Sequence, residues 1–191
     1  MRRIALALSF LLVAGVFPAL AAPQRYTLDV ARSSVGFGYD FQGERRQGQM
    51  PVKSADLLID LDDVPRSRVT VTLDPGEARA GFIFATQVMK GPEVLDTAHH
   101  PTILFVSRAF QGNLRGATVT GDLTVRGVTR PVTLTAGLYR QQGTEAGERD
   151  RLTVLLTGTI NRNDYGAGGF PGYVGPMIEL RILARITRAT P

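Results

Sequence analysis

Few residues in this chain are of types that do chemistry, and their spacing restricts them further. The only histidines, His99 and His100, are adjacent and precede Pro101. On a strand they would point to opposite faces, and on a loop they lack further ligands, so a capping or solvent-facing role fits better than a metal site. Asp60, Asp62 and Asp63 lack the glycine and terminal glutamate of an EF-hand, and they read as a solvated turn. The stretch Gly166–Gly172, GAGGFPG, carries Pro171 where a dinucleotide fingerprint needs its third glycine, and it has no Gly-Lys-Ser/Thr. Neither a Gly-x-Ser-x-Gly elbow nor a His-Glu-x-x-His pair occurs. Cysteine is absent, which excludes disulfides, thiol catalysis and thiolate metal ligands. One polar cluster remains: Asn161, Arg162, Asp164 and Tyr165. Its arginine suits a phosphate headgroup through charge-assisted bonds. The same residues also suit a turn in which Asn161 and Asp164 bond their own backbone. No catalytic residue, metal ligand or cofactor is assigned, and the inventory favours binding over catalysis.

The elements that must position this cluster are strands. Val119, Leu123 and Val125 alternate with Thr118, Thr120, Asp122 and Thr124. After a break at Gly127, Val132, Leu134, Ala136 and Leu138 alternate with polar residues. This is an antiparallel hairpin with one apolar face, and Pro131, which cannot donate to a ladder, is expected at the start of its second strand. Similar runs occur at Val35–Phe41, Leu57–Leu61, Val69–Leu73, Thr102–Ala109, Leu152–Ile160 and Met177–Ile186. From Ala80 to Thr97 the period of two disappears. Phe84, Val88 and Met89 take helical spacing, and Gly91-Pro92 interrupts it, which predicts one short helical excursion over about residues 82–98, its Phe and Met used in packing. About eight strands with short connections predict an all-β antiparallel barrel, whose interior holds either its own side chains or one small ligand. The longest connection, residues 162–175, contains five glycines and is of a length often functional or flexible.

Residues 1–21 have the pattern of a secretory signal peptide: Arg2 and Arg3, an apolar run from Ile4 to Phe17, and Ala19-Leu20-Ala21. The run is short for a membrane span, so a periplasmic protein without stable membrane insertion is expected, one domain over 22–191. Removing Arg2 and Arg3 leaves 20 basic against 17 acidic residues, and the formal charge falls from +5 to +3. The arginines are scattered among acids rather than gathered in a stripe, which argues against nucleic-acid binding.

Several segments resemble the YceI-like family of lipocalin-like, polyisoprenoid-binding proteins. They are Ser34–Tyr39 (SVGFGY), Leu95-Asp96 with His100–Ser107 (HPTILFVS), Gly121–Val132 (GDLTVRGVTRPV), Ile160–Gly166 (INRNDYG) and Val174-Gly175, in family order. The resemblance implies an eight-stranded lipocalin-like barrel in the periplasm, with an elongated apolar cavity for an isoprenoid or other long-chain lipid, no catalysis and, in many members, a homodimer. Many members also carry an Arg-Asp-x-His-Leu type run before Leu95, where this chain reads Met89-Lys-Gly-Pro-Glu-Val.

The expected tail-facing residues are Val35, Phe37, Phe41, Val71, Phe84, Ile103, Phe105, Leu123, Val125, Leu134, Leu156 and Ile182. Asn161, Arg162, Asp164 and Tyr165 are the expected headgroup residues at the mouth. Two rival readings are a filled barrel acting through its outer surface as a structural or stress-related module, and a lipid-modifying enzyme of unrecognised type.

Overall fold

The computed structural model describes residues 22–141, 143–145 and 147–190; the expected signal segment lies outside them. Ten strands follow in chain order: β1 (Gln24–Leu28), β2 (Ser34–Phe41), β3 (Glu44–Met50), β4 (Val52–Ile59), β5 (Arg68–Leu73), β6 (Ile103–Asn113), β7 (Gly116–Val125), β8 (Val128–Arg140), β9 (Arg151–Asn161) and β10 (Met177–Arg188). Among the described residues the one α-helix, α1 (Ile83–Lys90), lies between β5 and β6, and turns continue the excursion past Gly91-Pro92.

Eight of the strands close a ring in the order β1-β4-β5-β6-β7-β8-β9-β10, with β10 returning to β1, all antiparallel. The hairpin β2–β3 extends one end of this barrel. The last residues of β10 pair with β1, whereas Glu179–Leu183 pair with β2. Pro51, lacking an N–H, separates β3 from β4, and the register shifts just after it between Val52 and Ser54. Beyond β5 the chain bridges the edge of β3 at Gln49–Arg79, then crosses the barrel end as α1.

Two tight turns fix the hairpin registers. Arg126 and Gly127 both have positive φ (51° and 72°) between the paired Val125 and Val128, as a two-residue hairpin loop of the primed type requires. Gln42 and Gly43 do the same between Phe41 and Glu44. Because that first turn is so short, β8 starts at Val128, and Pro131 is its fourth residue rather than its first. The ladder tolerates it there because β9 pairs with β8 only from Thr135 onward.

The core has two parts. One holds Val119, Leu123, Val125, Val132, Leu134 and Tyr165 beneath α1; the other holds Tyr26, Leu57, Leu152 and Ile186 at the opposite end. Asp60 is buried rather than solvated. Its Oδ1 accepts the N–H groups of Asp62 (3.0 Å) and Asp63 (2.8 Å), and Arg66 stands 3.4 Å from Oδ2.

Candidate functional site

The alternation of each strand turns its apolar residues inward, and they enclose a cavity of about 300 Å³ rather than filling the barrel. Its lining runs from Leu28, Ile59 and Ile186 at one end to Met89, Leu95 and Ile178 beneath α1. Along β10 the distance from Ile178 to Ile186 corresponds to about 26 Å of strand. Ser33, Arg162 and Tyr165 are the lining residues with a polar side-chain group among the described ones.

Ten of the twelve expected apolar positions line this cavity: Val35, Phe37, Val71, Ile103, Phe105, Leu123, Val125, Leu134, Leu156 and Ile182. Phe41 and Phe84 do not. They line a second, outer chamber of about 420 Å³ between the β2–β3 tip, α1 and the 166–175 loop. Phe84 is 64 % exposed, so it is no packing residue of the helix, because the first turn of α1 projects past the barrel wall. Phe37, Met89, Val94, Arg162 and Ile178 line both spaces, which makes them adjoining compartments.

The polar cluster separates into different roles. Arg162 is 6 % exposed, and its guanidinium donates to four backbone carbonyls. Nε reaches Gly175 O (3.0 Å), Nη1 reaches Ala167 O (2.6 Å) and Gly169 O (2.8 Å), and Nη2 reaches Val174 O (2.8 Å). Burial holds its pKa below the ordinary arginine value. The glycine-rich loop is therefore wrapped around a cation. Gly169 N–H also donates to Glu93 O (3.0 Å), and a Cβ on Gly169 would stand 2.5 Å from that oxygen, so the close approach of loop and helical segment requires glycine. Asn161 caps the following turn by accepting from Asn163 N–H (3.0 Å), and Asp164 is exposed. Tyr165 is buried against the cavity, and burial raises its phenol pKa.

Further ties, which periodicity alone does not reveal, hold in place the roof over the barrel end, formed by the 80–94 segment with α1 and by the 166–175 loop. Arg126, in its left-handed turn, donates to Val94 O (3.2 Å) and Gly166 O (2.7 Å), joining both halves of the roof to the β7–β8 hairpin. The Tyr39 hydroxyl donates to Ala80 O (2.7 Å) just before α1. Gln42 N–H donates to Tyr173 O (2.9 Å) and Gly175 N–H to Asp40 O (3.1 Å). His99 is exposed, with Nδ1 2.9 Å from Asp96 Oδ1, while the His100 ring lies against Gly127.

The sequence profile of the YceI-like domain matches residues 26–186. A UPF0312 protein of Pseudomonas putida is 32 % identical over 117 residues, 61 % of this chain and 60 % of that protein, so the match spans under two thirds of the relative's length. The fold resembles the crystal structure of Burkholderia cenocepacia BcnA, with TM-score 0.72 and 20 % identity over 85 % of this chain and 99 % of that one. It also resembles a polyisoprenoid binding domain from Saccharophagus degradans, implicated in plant cell wall breakdown, with TM-score 0.64 and 12 % identity over 87 % and 99 %.

Proposed function

The chain belongs to the YceI-like domain family, and on that premise we propose that it binds one long apolar lipid tail, polyisoprenoid or similar, inside the barrel and carries it outside the cytoplasm. The observation that carries this reading is a continuous apolar interior, open as a cavity, running from Ile186 to Met89. Each CH₂ withdrawn from water into such a lining gains about 0.8 kcal/mol, so a tail is held without any polar anchor. The described cavity wall offers no paired acid and base. Its one cation, Arg162, already donates to four carbonyls, which favours binding over turnover and leaves the headgroup to the outer chamber. Among the described residues no helix is long and apolar enough to cross a membrane. The leader pattern at residues 1–21 supports export to the periplasm.

Native mass spectrometry of protein isolated from its own host, followed by organic extraction, tests the reading. A stoichiometric long-chain lipid is expected; repeated recovery of empty protein that also refuses added tails would overturn it. N-terminal sequencing of the exported fraction checks the expected start at Ala22.

A further inference from the structure

The rim of the outer chamber is apolar on its outside as well as its inside. Phe84 and Tyr173 line the chamber and yet are 64 % and 55 % exposed, and Phe170 is likewise part of both surfaces. Ile83, 78 % exposed, stands beside them on the first turn of α1, and Phe82 packs edge-on against Phe41 at 5.7 Å between ring centroids. An apolar surface thus runs unbroken from the barrel interior, past Phe37 and Met89, out to the solvent face. Large exposed apolar side chains gathered at one opening call for an apolar partner.

The charge around this opening indicates which partner. Arg79 and Lys90 flank α1; no acidic residue lies from Ala78 to Pro92 or from Tyr165 to Pro176, although exposed Glu77, Glu93 and Asp164 bound these stretches. Neither cation makes an ion pair among the described residues. At the third rim element, the β2–β3 tip, the acids are engaged: Asp40 Oδ1 accepts Gly43 N–H (3.0 Å) and Glu44 pairs with Arg46. An apolar prow flanked by free cations complements a bilayer with anionic headgroups, where aromatic side chains enter the interface and Lys and Arg reach the phosphates.

We propose that Phe82, Ile83, Phe84, Phe170 and Tyr173 dock the mouth onto an anionic lipid bilayer, so that a tail passes between membrane and barrel without crossing water. The inference rests on the tail-binding reading, and its test separates the two.

The full chain, in the form isolated from cells, is sedimented with vesicles of equal parts phosphatidylcholine and phosphatidylglycerol, and with vesicles of phosphatidylcholine alone. Ile83 lines neither compartment, so Ile83→Asp and Ile83→Trp leave tail binding in detergent-free solution unchanged, as displacement of a fluorescent fatty acid reads it. On mixed vesicles Ile83→Asp is expected to bind about tenfold more weakly, and Ile83→Trp more tightly. Arg79→Gln with Lys90→Gln should lose about tenfold on mixed vesicles and little on phosphatidylcholine, as should added salt. Because every variant shares the wild-type N-terminus, the differences report on the rim. Wild-type vesicle binding indifferent to all these changes overturns the docking proposal, even where the fatty acid binds normally. So does light scattering in which Ile83→Asp converts a dimer to a monomer with vesicle binding intact, since the rim would then be a face between two copies. Failure to bind the fatty acid at all would overturn the tail-binding reading instead.

Discussion

The ring of Phe37 lies across Gly48 on the neighbouring strand, so close that a Cβ on Gly48 would stand 2.2 Å from Phe37 Cζ and 2.5 Å from Arg79 O. One absent side chain lets a large one cover the strand at the junction of the two compartments. Gly48→Ala must therefore displace both ring and backbone, a change expected to cost about 1–3 kcal/mol. Denaturant midpoints check it. In the double variant with Phe37→Ala, the ring clash is gone but the Arg79 clash persists, so the two losses should add to less than their sum.

Much of this barrel is legible in the sequence because a half-buried strand writes its inward face at every second residue. Ile103 and Phe105, Leu123 and Val125, and Leu134 all line the cavity where alternation puts them. Phe84 shows where the signal runs out: helical spacing says that Phe84 and Met89 belong to one excursion, but not that its first turn overhangs the wall. The helix has two turns, and the first leaves Ile83 and Phe84 exposed, so packing, not periodicity, decides. Arg162 is a second case. The 161–165 cluster reads equally as a phosphate-headgroup site or as a plain turn, and only the loop's path shows four carbonyls converging on Arg162. The density of glycines after Arg162 was the available signal, since a loop folded around a side chain must turn sharply.

Arg162→Ala leaves the carbonyls of Ala167, Gly169, Val174 and Gly175 without their donor. Loss of a single bond to a charged group costs about 1.5–3 kcal/mol, so a destabilisation of at least about 3 kcal/mol is expected. Lysine offers a point charge that cannot reach all four, so Arg162→Lys should rescue little. Because the roof loosens as a whole, retention of phosphorylated and neutral tails should fall alike. A loss confined to phosphorylated tails would instead give Arg162 a headgroup role.

The tie from the Tyr39 hydroxyl to Ala80 O gives the roof a dependence on alkaline pH. Burial raises the phenol's pKa above its ordinary value near 10.0. The stabilisation is thus fully present below that value and is lost as pH rises through the raised folded-state pKa. Tyr39→Phe should cost about 1 kcal/mol at neutral pH. It should also flatten the alkaline limb of a melting-temperature profile; an unchanged limb would place the titration elsewhere.

The length of tail the barrel accepts should be set at its closed end. Ala184 lines the cavity there and packs with the group around Tyr26, Leu57, Leu152 and Ile186. Each added CH₂ contributes about 0.8 kcal/mol on burial, offset in part by the freedom lost when a flexible tail is straightened. Affinity should therefore climb with tail length and level off once the space down to Ala184 is filled. Ala184→Phe shortens that space without touching the mouth. Short tails should bind the variant as they bind wild type, while the plateau moves to a shorter tail. Titrating a graded series of saturated and isoprenoid tails into both proteins measures the two curves. An equal drop in affinity at every length would mean that Ala184→Phe disturbs the fold rather than the depth, and affinity independent of length in wild type would remove the interior as the tail's site.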